Sequence, residues 1–404
     1  MLRHIVFTYL VLMMSFTQAA EMQKLVNANG HFALDIYAQL RNQQGNLFFS
    51  PYSISTALAM SYAGAKSTTA QQMANTLHFS DIDDVHNAYK KLQSTLNQLQ
   101  QGGHTKLNTV NAIWYEQTYT VQPTYQALIE NNYATPDEII LNKADFHNQA
   151  QQVRQQINQW VEAKTQNKIK DLLKPNTIKS DTVAALVNAI YFKSAWLHAF
   201  KSSATQKQAF HLDSKQTEQV DMMHQTRSFQ YMENDLLQLI ELPYQRNDLS
   251  MLVLLPKDVQ GLDKLEQQLN LKHLASWLSQ ATTKKIDLSL PKFRTESSFD
   301  LVKILQTLGM QDAFDPQKAD FTGMIDSADK FAISAVVHKA FIDLDEKGTE
   351  AAAATAVVMS RSALMDRQPE PPIEFKADHP FLFLIKDNYT QSILFLGRIT
   401  NPIQ

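Results

Sequence analysis

A hydrolytic protein needs a nucleophile, a base and a group that holds the developing oxyanion. In this chain of 404 residues, Ser50, His338 and Asp343 offer the three side-chain types of a triad. Ser50, however, lies in a Ser-Pro pair that opens a helix, and His338 lies in the apolar strand pattern AVVHKAF. A histidine so placed reads as a hydrogen-bonded core residue rather than as a base. No G-x-S-x-G elbow, H-E-x-x-H pair or P-loop occurs. The 12 histidines show no ligand spacing, and with 0 cysteines no thiolate metal site, cysteine nucleophile or disulfide can form. The expectation is a protein that is not an enzyme and carries neither metal nor cofactor.

The chemistry the sequence does advertise is chemistry done to it. From Asp345 to Asp366 the chain reads DEKGTEAAAATAVVMSRSALMD, and Gln368-Pro369-Glu370-Pro371-Pro372 follows. Proline cannot continue a helix, so Ser360 to Pro372 reads as exposed loop, with Arg361 open to proteases. The alanine run upstream has two readings. Four alanines in a row have the best helix propensity available. Alternatively the segment is a strand in waiting: alternate residues share a face, and Thr349, Ala351, Ala353, Thr355 and Val357 include nothing charged or large. Such a face could slide between neighbours in a sheet, while Glu350 on the other face stays wet.

The elements that would hold this stretch can be read along the chain. Arg3 and His4 precede an apolar run from Ile5 to Phe16, and small residues follow at Ala19 and Ala20. That pattern predicts a signal peptide over 1–19, cleaved after Ala19 or Ala20, and too short for an ordinary membrane span. Helices are expected at Leu25–Leu40, from Pro51 through Tyr62, at Asp84–Leu99, Ile157–Leu173, Gly261–Ser279 and Leu301–Leu308. Strands are expected at Leu107–Tyr115, within Val183–Phe200, and at Gln219–Met223, Leu237–Leu242, Met251–Leu255, Ile286–Phe293, Ile333–Asp343, Phe381–Ile385 and Ser392–Leu396. The net charge of -3 argues against nucleic acid as a principal partner. Lys90 and Lys91 read as a solvated helix face, so polyanion binding is not expected. Asn388-Tyr389-Thr390 is a glycosylation sequon wherever the machinery exists.

Several of these stretches resemble one family. GTEAAAATAVV, preceded by Glu346-Lys347 and followed by Asp378-His379-Pro380-Phe381, is similar to the reactive loop of the serpins. NLFFSPYSISTALAMSYAGA and VAALVNAIYFKSAWLHAF are similar to two further serpin signatures, with Ser67 and Ser194 where the family commonly has glycine. The resemblance runs from about Leu25 to Pro402. It implies an α+β fold of three β-sheets with about nine helices, a single domain over 20–404, and an exposed reactive loop at about 346–372.

It also implies roles. Ser50, Ser53, Asn188 and His338 would form a "shutter" under the centre of the main sheet, and Trp196 and Lys292 a "breach" at its top, with Lys292 paired to Glu346. Glu346, Gly348, Thr349, Glu350, Ala351, Ala352, Ala353 and Ala354 would be the hinge. The protease would attack Arg361–Ser362, or by the family's usual loop length Ser362–Ala363, with Leu364 and Met365 as fallback sites. The implied function is a secreted suicide-substrate inhibitor of serine proteases, extracellular or periplasmic, probing a trypsin-like target through Arg361. Its partner would be that protease, held in a covalent complex by a monomer without nucleic acid or membrane. A non-inhibitory carrier or chaperone of the same fold is the rival, as is an inhibitor of elastase-like, chymotrypsin-like or papain-like proteases.

Overall fold

The computed structural model describes residues 2–100, 103–134, 140–326, 331–349 and 370–403, with side chains from residue 19 onward. Of the stretch singled out above, Asp345 to Thr349 falls within the described residues. Glu350, Ala351 to Ala354, Arg361, Ser362 and Ala363 lie outside them.

Nine α-helices and fifteen strands occur among the described residues, numbered here in chain order. The helices are α1 (Leu2–Leu40), α2 (Pro51–Tyr62), α3 (Ser67–Thr76), α4 (Val85–Gln98), α5 (Pro123–Tyr133), α6 (Phe146–Lys164), α7 (Leu262–Gln268), α8 (Leu271–Gln280) and α9 (Val302–Thr307). The main sheet holds β2 (Thr105–Glu116), β3 (Leu141–Ala144), β4 (Ala184–Ala195), β10 (Phe293–Asp300), β11 (Ala335–Asp345) and β12 (Gly348–Thr349). The second sheet holds β1 (Leu47–Phe49), β5 (Gln206–His211), β6 (Thr217–Glu233), β7 (Leu237–Pro243), β8 (Leu249–Pro256), β9 (Thr282–Pro291), β13 (Ile373–Lys376), β14 (Phe381–Asp387) and β15 (Ile393–Ile399). This is the α+β architecture expected. Its strands fall into two hydrogen-bonded networks because the 17-residue β6 runs through what would otherwise be two sheets. It pairs with β5 at its start and with β7 at its end.

The core has two layers, one on each face of the main sheet. The larger fills the space between that face, the second sheet and helices α1, α2 and α4. Helix α2 lies inside it with every residue from Pro51 to Ser61 buried, as its all-round apolar character requires. Ser50 caps this helix by accepting the Ser53 amide, and Pro51 fills the first turn, where no N–H is needed. The smaller layer lies on the opposite face, where Val153, Ile157 and Val161 of α6 recur four apart and cover Val110, Val187 and Tyr191.

Three expectations needed correction. The helix read over Ile157–Leu173 begins at Phe146 and ends at Lys164. Asp145 caps its start through the Asn148 amide, and Gln166 and Asn167 take left-handed backbone (φ 54° and 60°) just past its end. Leu172 and Leu173 are buried in the connection that follows, so their apolar character was about packing and not about helix. The helix read over Gly261–Ser279 is two helices, because Asn270 leaves the helical region and caps α8 by accepting the His273 amide. The helix read over Leu25–Leu40 is the end of a helix whose backbone starts at Leu2. Among the described residues, no helix is long and apolar enough to cross a membrane.

Candidate functional site

The main sheet contains a seam. In its lower part β4 and β11 pair directly and in parallel, from Ala185↔Ala335 to Tyr191↔Phe341. Higher up they part and β12 fills the gap, pairing antiparallel with both: Thr349 faces Leu344 on one side and Ser194 on the other. Residue numbers across the seam differ by 150 in both regions (335 and 185 below, 344 and 194 above). The two strands therefore separate sideways by one strand width, about 4.8 Å, without slipping along one another.

Asp345 to Gly348 form the turn that brings β12 back beside β11. Asp345 carboxylate accepts the Lys347 amide at 2.8 Å and the Gly348 amide at 3.2 Å. The continuation of β4 grips this turn from outside. The Trp196 amide donates to Lys347 O (2.9 Å), the Trp196 indole to Asp345 O (3.1 Å), and the Phe200 amide to Glu346 O (2.8 Å). Gly348 sits at φ 148°, and a Cβ there would lie 2.2 Å from Ser194 O, so only glycine fits.

Glu346 is nearly buried at the foot of the turn. Lys292 Nζ lies 3.0 Å from its carboxylate, and Thr205 Oγ1 donates to it at 2.8 Å. Burial works against its charge, but these hydrogen bonds and the lysine outweigh it and hold the carboxyl below its ordinary range. Lys292 is itself more than a third exposed, so the pair orders the turn more than it stabilises the fold. The Glu346–Lys292 contact that the resemblance implied is present, and Trp196 lies against the same turn.

Thr349 is fully buried, and its hydroxyl lies 2.8 Å from that of Tyr244. It faces the larger core, on the side of Phe192, Ser194 and Leu344. In the sequence, every second residue after Thr349 is small or apolar and uncharged, from Ala351 and Ala353 to Thr355 and Val357. Ser194, where glycine was anticipated, is buried too, and Thr105 Oγ1 satisfies its hydroxyl at 2.8 Å. Ser67, the other such position, takes a left-handed φ of 51°, and its hydroxyl is held by Asp320 at 2.7 Å.

Below the seam the four polar residues named from the sequence come together. His338 Nε2 accepts the Ser50 amide at 3.1 Å, so its proton sits on Nδ1 and is donated to Asn188 Oδ1. The Asn188 amide group donates to Ser53 O (3.0 Å), to Ser53 Oγ (2.5 Å) and to Asn111 Oδ1. The Ser50 hydroxyl donates to Leu394 O at 2.7 Å. Because Asn188 and His338 face one another in the β4–β11 ladder, their bond spans the two strands that part above. Burial pushes the His338 imidazole down to about 3, so it is neutral. No nucleophile–base contact exists here: the base nitrogen is occupied by a backbone amide and the serine hydroxyl is turned to a carbonyl. Asn111 had not been singled out in the sequence, though the strand that holds it had been recognised; Tyr244 lies just past β7, outside the strands read there.

This geometry can do no bond-making of its own, and no group of three or more histidine or acidic side chains fit for a metal ion occurs among the described residues. What it holds is a two-residue strand, Gly348–Thr349, between β11 and β4 at the top of the seam. Comparisons with known proteins show which family has this fold. The family model described as serpin (serine protease inhibitor) matches residues 27–402. Leukocyte elastase inhibitor A of Rattus norvegicus is 40% identical over 94% of this chain and all of its own length. An uncharacterized serpin-like protein of Thermococcus kodakarensis is also 40% identical, over 94% of this chain and 86% of its own. The crystal structure of uncleaved ovalbumin superposes with a TM-score of 0.83 at 31% identity, covering 93% of this chain and 99% of that one.

Proposed function

The chain belongs to the serpin family of protease inhibitors, and we propose that it is an active inhibitor that traps its protease as an acyl-enzyme and then inserts its cleaved loop along the seam. The single observation that carries this reading is the pre-aligned seam, with Gly348 and Thr349 already between β11 and β4. The protease's serine attacks the loop and forms an ester with it. Once the loop is cut, the segment after Thr349 is free to lengthen β12. Extending the observed pairing, loop residue n faces residue 693 − n on β11 and 543 − n on β4, so positions 350–358 would run down to Ala335 and Ala185. At ~3.3 Å per residue, that carries the tethered enzyme about 30 Å along the sheet.

The gain can be bounded. Nine residues with a partner on both sides make two ladders, while the existing β4–β11 ladder of seven pairs is given up. At ~1 kcal/mol net for each added hydrogen bond the difference is on the order of 10 kcal/mol. That is comparable to the whole stability of an ordinary domain, and enough to distort a tethered active site.

The target is read from the loop sequence. Arg361–Ser362 offers a trypsin-like enzyme its preferred cation. A second reading is favoured by the names of the relatives, which are inhibitors of an elastase. An elastase pocket is small, which suits attack at Ser362–Ala363. We further infer that residues 1–19 direct export, and that the mature inhibitor is a secreted monomer.

Incubation with trypsin and with an elastase, followed by denaturing electrophoresis and mass spectrometry of the loop, tests the reading. A detergent-stable complex and cleavage after Arg361 are expected with trypsin. Loop-cleaved protein should also melt more than about 10 °C above intact protein, given ~2 cal/mol/K of unfolding entropy per residue. Cleavage with neither a complex nor a rise in melting temperature would leave a serpin-fold protein that does not inhibit.

A further inference from the structure

Tyr244 lies in none of the groups that the family resemblance assigns, yet its hydroxyl hydrogen-bonds the side chain of Thr349, the first inserted residue that has one. It stands where the chain leaves β7, and its position is fixed by backbone on both sides. Residues Trp196 and Tyr244 form an isolated antiparallel bridge, the Leu197 amide donates to Pro243 O at 3.0 Å, and the Tyr244 amide donates to Leu249 O at 2.9 Å. The ring is equally constrained. It stacks on the Trp196 indole (centroids 4.5 Å apart, planes 9° apart) and receives the Phe192 ring edge-on at 5.3 Å. Its only freedom is the hydroxyl, which points from the second sheet into the top of the seam.

Resting on the inhibitory reading above, we propose that Tyr244 is a positioning residue for loop insertion: its hydroxyl, paired with that of Thr349, seats the start of the loop between β4 and β11 before any protease arrives. Both hydroxyls are fully buried. Withdrawing Thr349 would leave the Tyr244 hydroxyl in an apolar pocket beside Trp196 and Phe192, and a buried polar group without a partner is unfavourable. The seated state is therefore the one in which both are satisfied. The burial that encloses the phenol also pushes its ionisation well above the ordinary range, so it remains a donor at any physiological pH.

Seating matters because insertion competes with hydrolysis of the acyl-enzyme. A strand that must first find its slot has the entropy of closing a loop to overcome before it gains a bond. A strand whose first residue is already in place adds bonds one at a time. Removing either hydroxyl lowers the seated population by about fivefold, the worth of one net hydrogen bond, and a larger share of encounters ends in simple cleavage.

The test compares wild type, Tyr244→Phe, Thr349→Val, Thr349→Ser and the Tyr244→Phe/Thr349→Val double variant. The first readout is moles of inhibitor cleaved per mole of trypsin trapped. The second, independent of any protease, is hydrogen exchange of the Gly348 and Thr349 amides in intact protein. Tyr244→Phe and Thr349→Val should each raise the cleaved-to-trapped ratio and the exchange rate about fivefold. The double variant should be no worse than either single one, and Thr349→Ser should stay near wild type. Singles that match wild type, a double variant whose effect is the product of the two, or a serine variant as impaired as valine would each overturn the proposal. If wild type traps no protease while exchange still follows the hydroxyls, the inhibitory reading fails and the seat stands. If wild type traps protease and neither readout moves in Tyr244→Phe, the seat alone fails.

Discussion

Acid should loosen the centre of the main sheet through His338. In the folded protein this imidazole carries one proton, given to Asn188, while its other nitrogen accepts the Ser50 amide. A second proton would turn that acceptor into a donor aimed at an N–H. It would also place a charge in a fully buried site beside the parallel ring of Phe299. Burial holds the group down accordingly, to about 3 from an ordinary 6.5. Because the folded value is depressed, the unfolded chain binds more protons between the two values. The neutral imidazole's contribution is therefore complete above about pH 6.5 and is lost as pH falls toward 3. At pH 5 the loss is about 2 kcal/mol, from ~1.4 kcal/mol for each pH unit below the ordinary value. The assay is urea unfolding of intact wild type and His338→Gln from pH 7.5 to pH 5. Glutamine keeps one donor and one acceptor and does not titrate. His86, which burial pushes down to about 4, is present in both proteins and cancels in the difference. Wild type should lose about 2 kcal/mol more than the variant over this range. Parallel profiles would show that His338 is not held neutral by its site, and the account of the shutter would be wrong.

Two further substitutions probe the top of the seam. Thr349→Arg places a guanidinium where a fully buried hydroxyl now meets Tyr244, an uncompensated charge that costs several kcal/mol; the protein should still be cleaved by trypsin but form no detergent-stable complex, and a surviving complex would refute insertion by this route. Gly348→Ala sets a Cβ against Ser194 O and strains the backbone; exchange of the Thr349 amide should speed up at least tenfold, the equivalent of ~1.4 kcal/mol, and unchanged protection would show that the turn can adapt.

How far the sequence could be read follows from which signals are local. Helix α2 was legible because its cap, its proline and its apolar character are adjacent in the chain. The start of α6 was not: HNQAQQVRQQ has Val153 as its one large apolar residue, and the cap at Asp145 lies far upstream of the recognisable repeat. Strand β10 alternates buried and exposed residues, yet its buried positions include Thr295 and Ser297, which carry no apolar signature. At the site, Ser50, Ser53, Asn188 and His338 lie within one hydrogen-bonded group, which the resemblance named and spacing alone could not. Tyr244 lies in the connection between the strands read at Leu237–Leu242 and Met251–Leu255, and nothing local marks it for a contact elsewhere. Its partner lies 105 residues away and contributes a hydroxyl that has no pattern to recognise.

The constant offset of 150 across the seam has a consequence for handling the protein. Like a crystal that splits along a plane whose rows stay aligned, the sheet can be wedged apart with no shear, and the newly bared edges are not particular about whose backbone fills them. An extended arm from a neighbouring molecule, small on alternate positions, would meet the same rungs that the molecule's own arm would. Warmth and crowding should thus push this protein toward chains of linked copies, and the composition proposed to let the arm enter its own sheet would also limit how concentrated it can be kept.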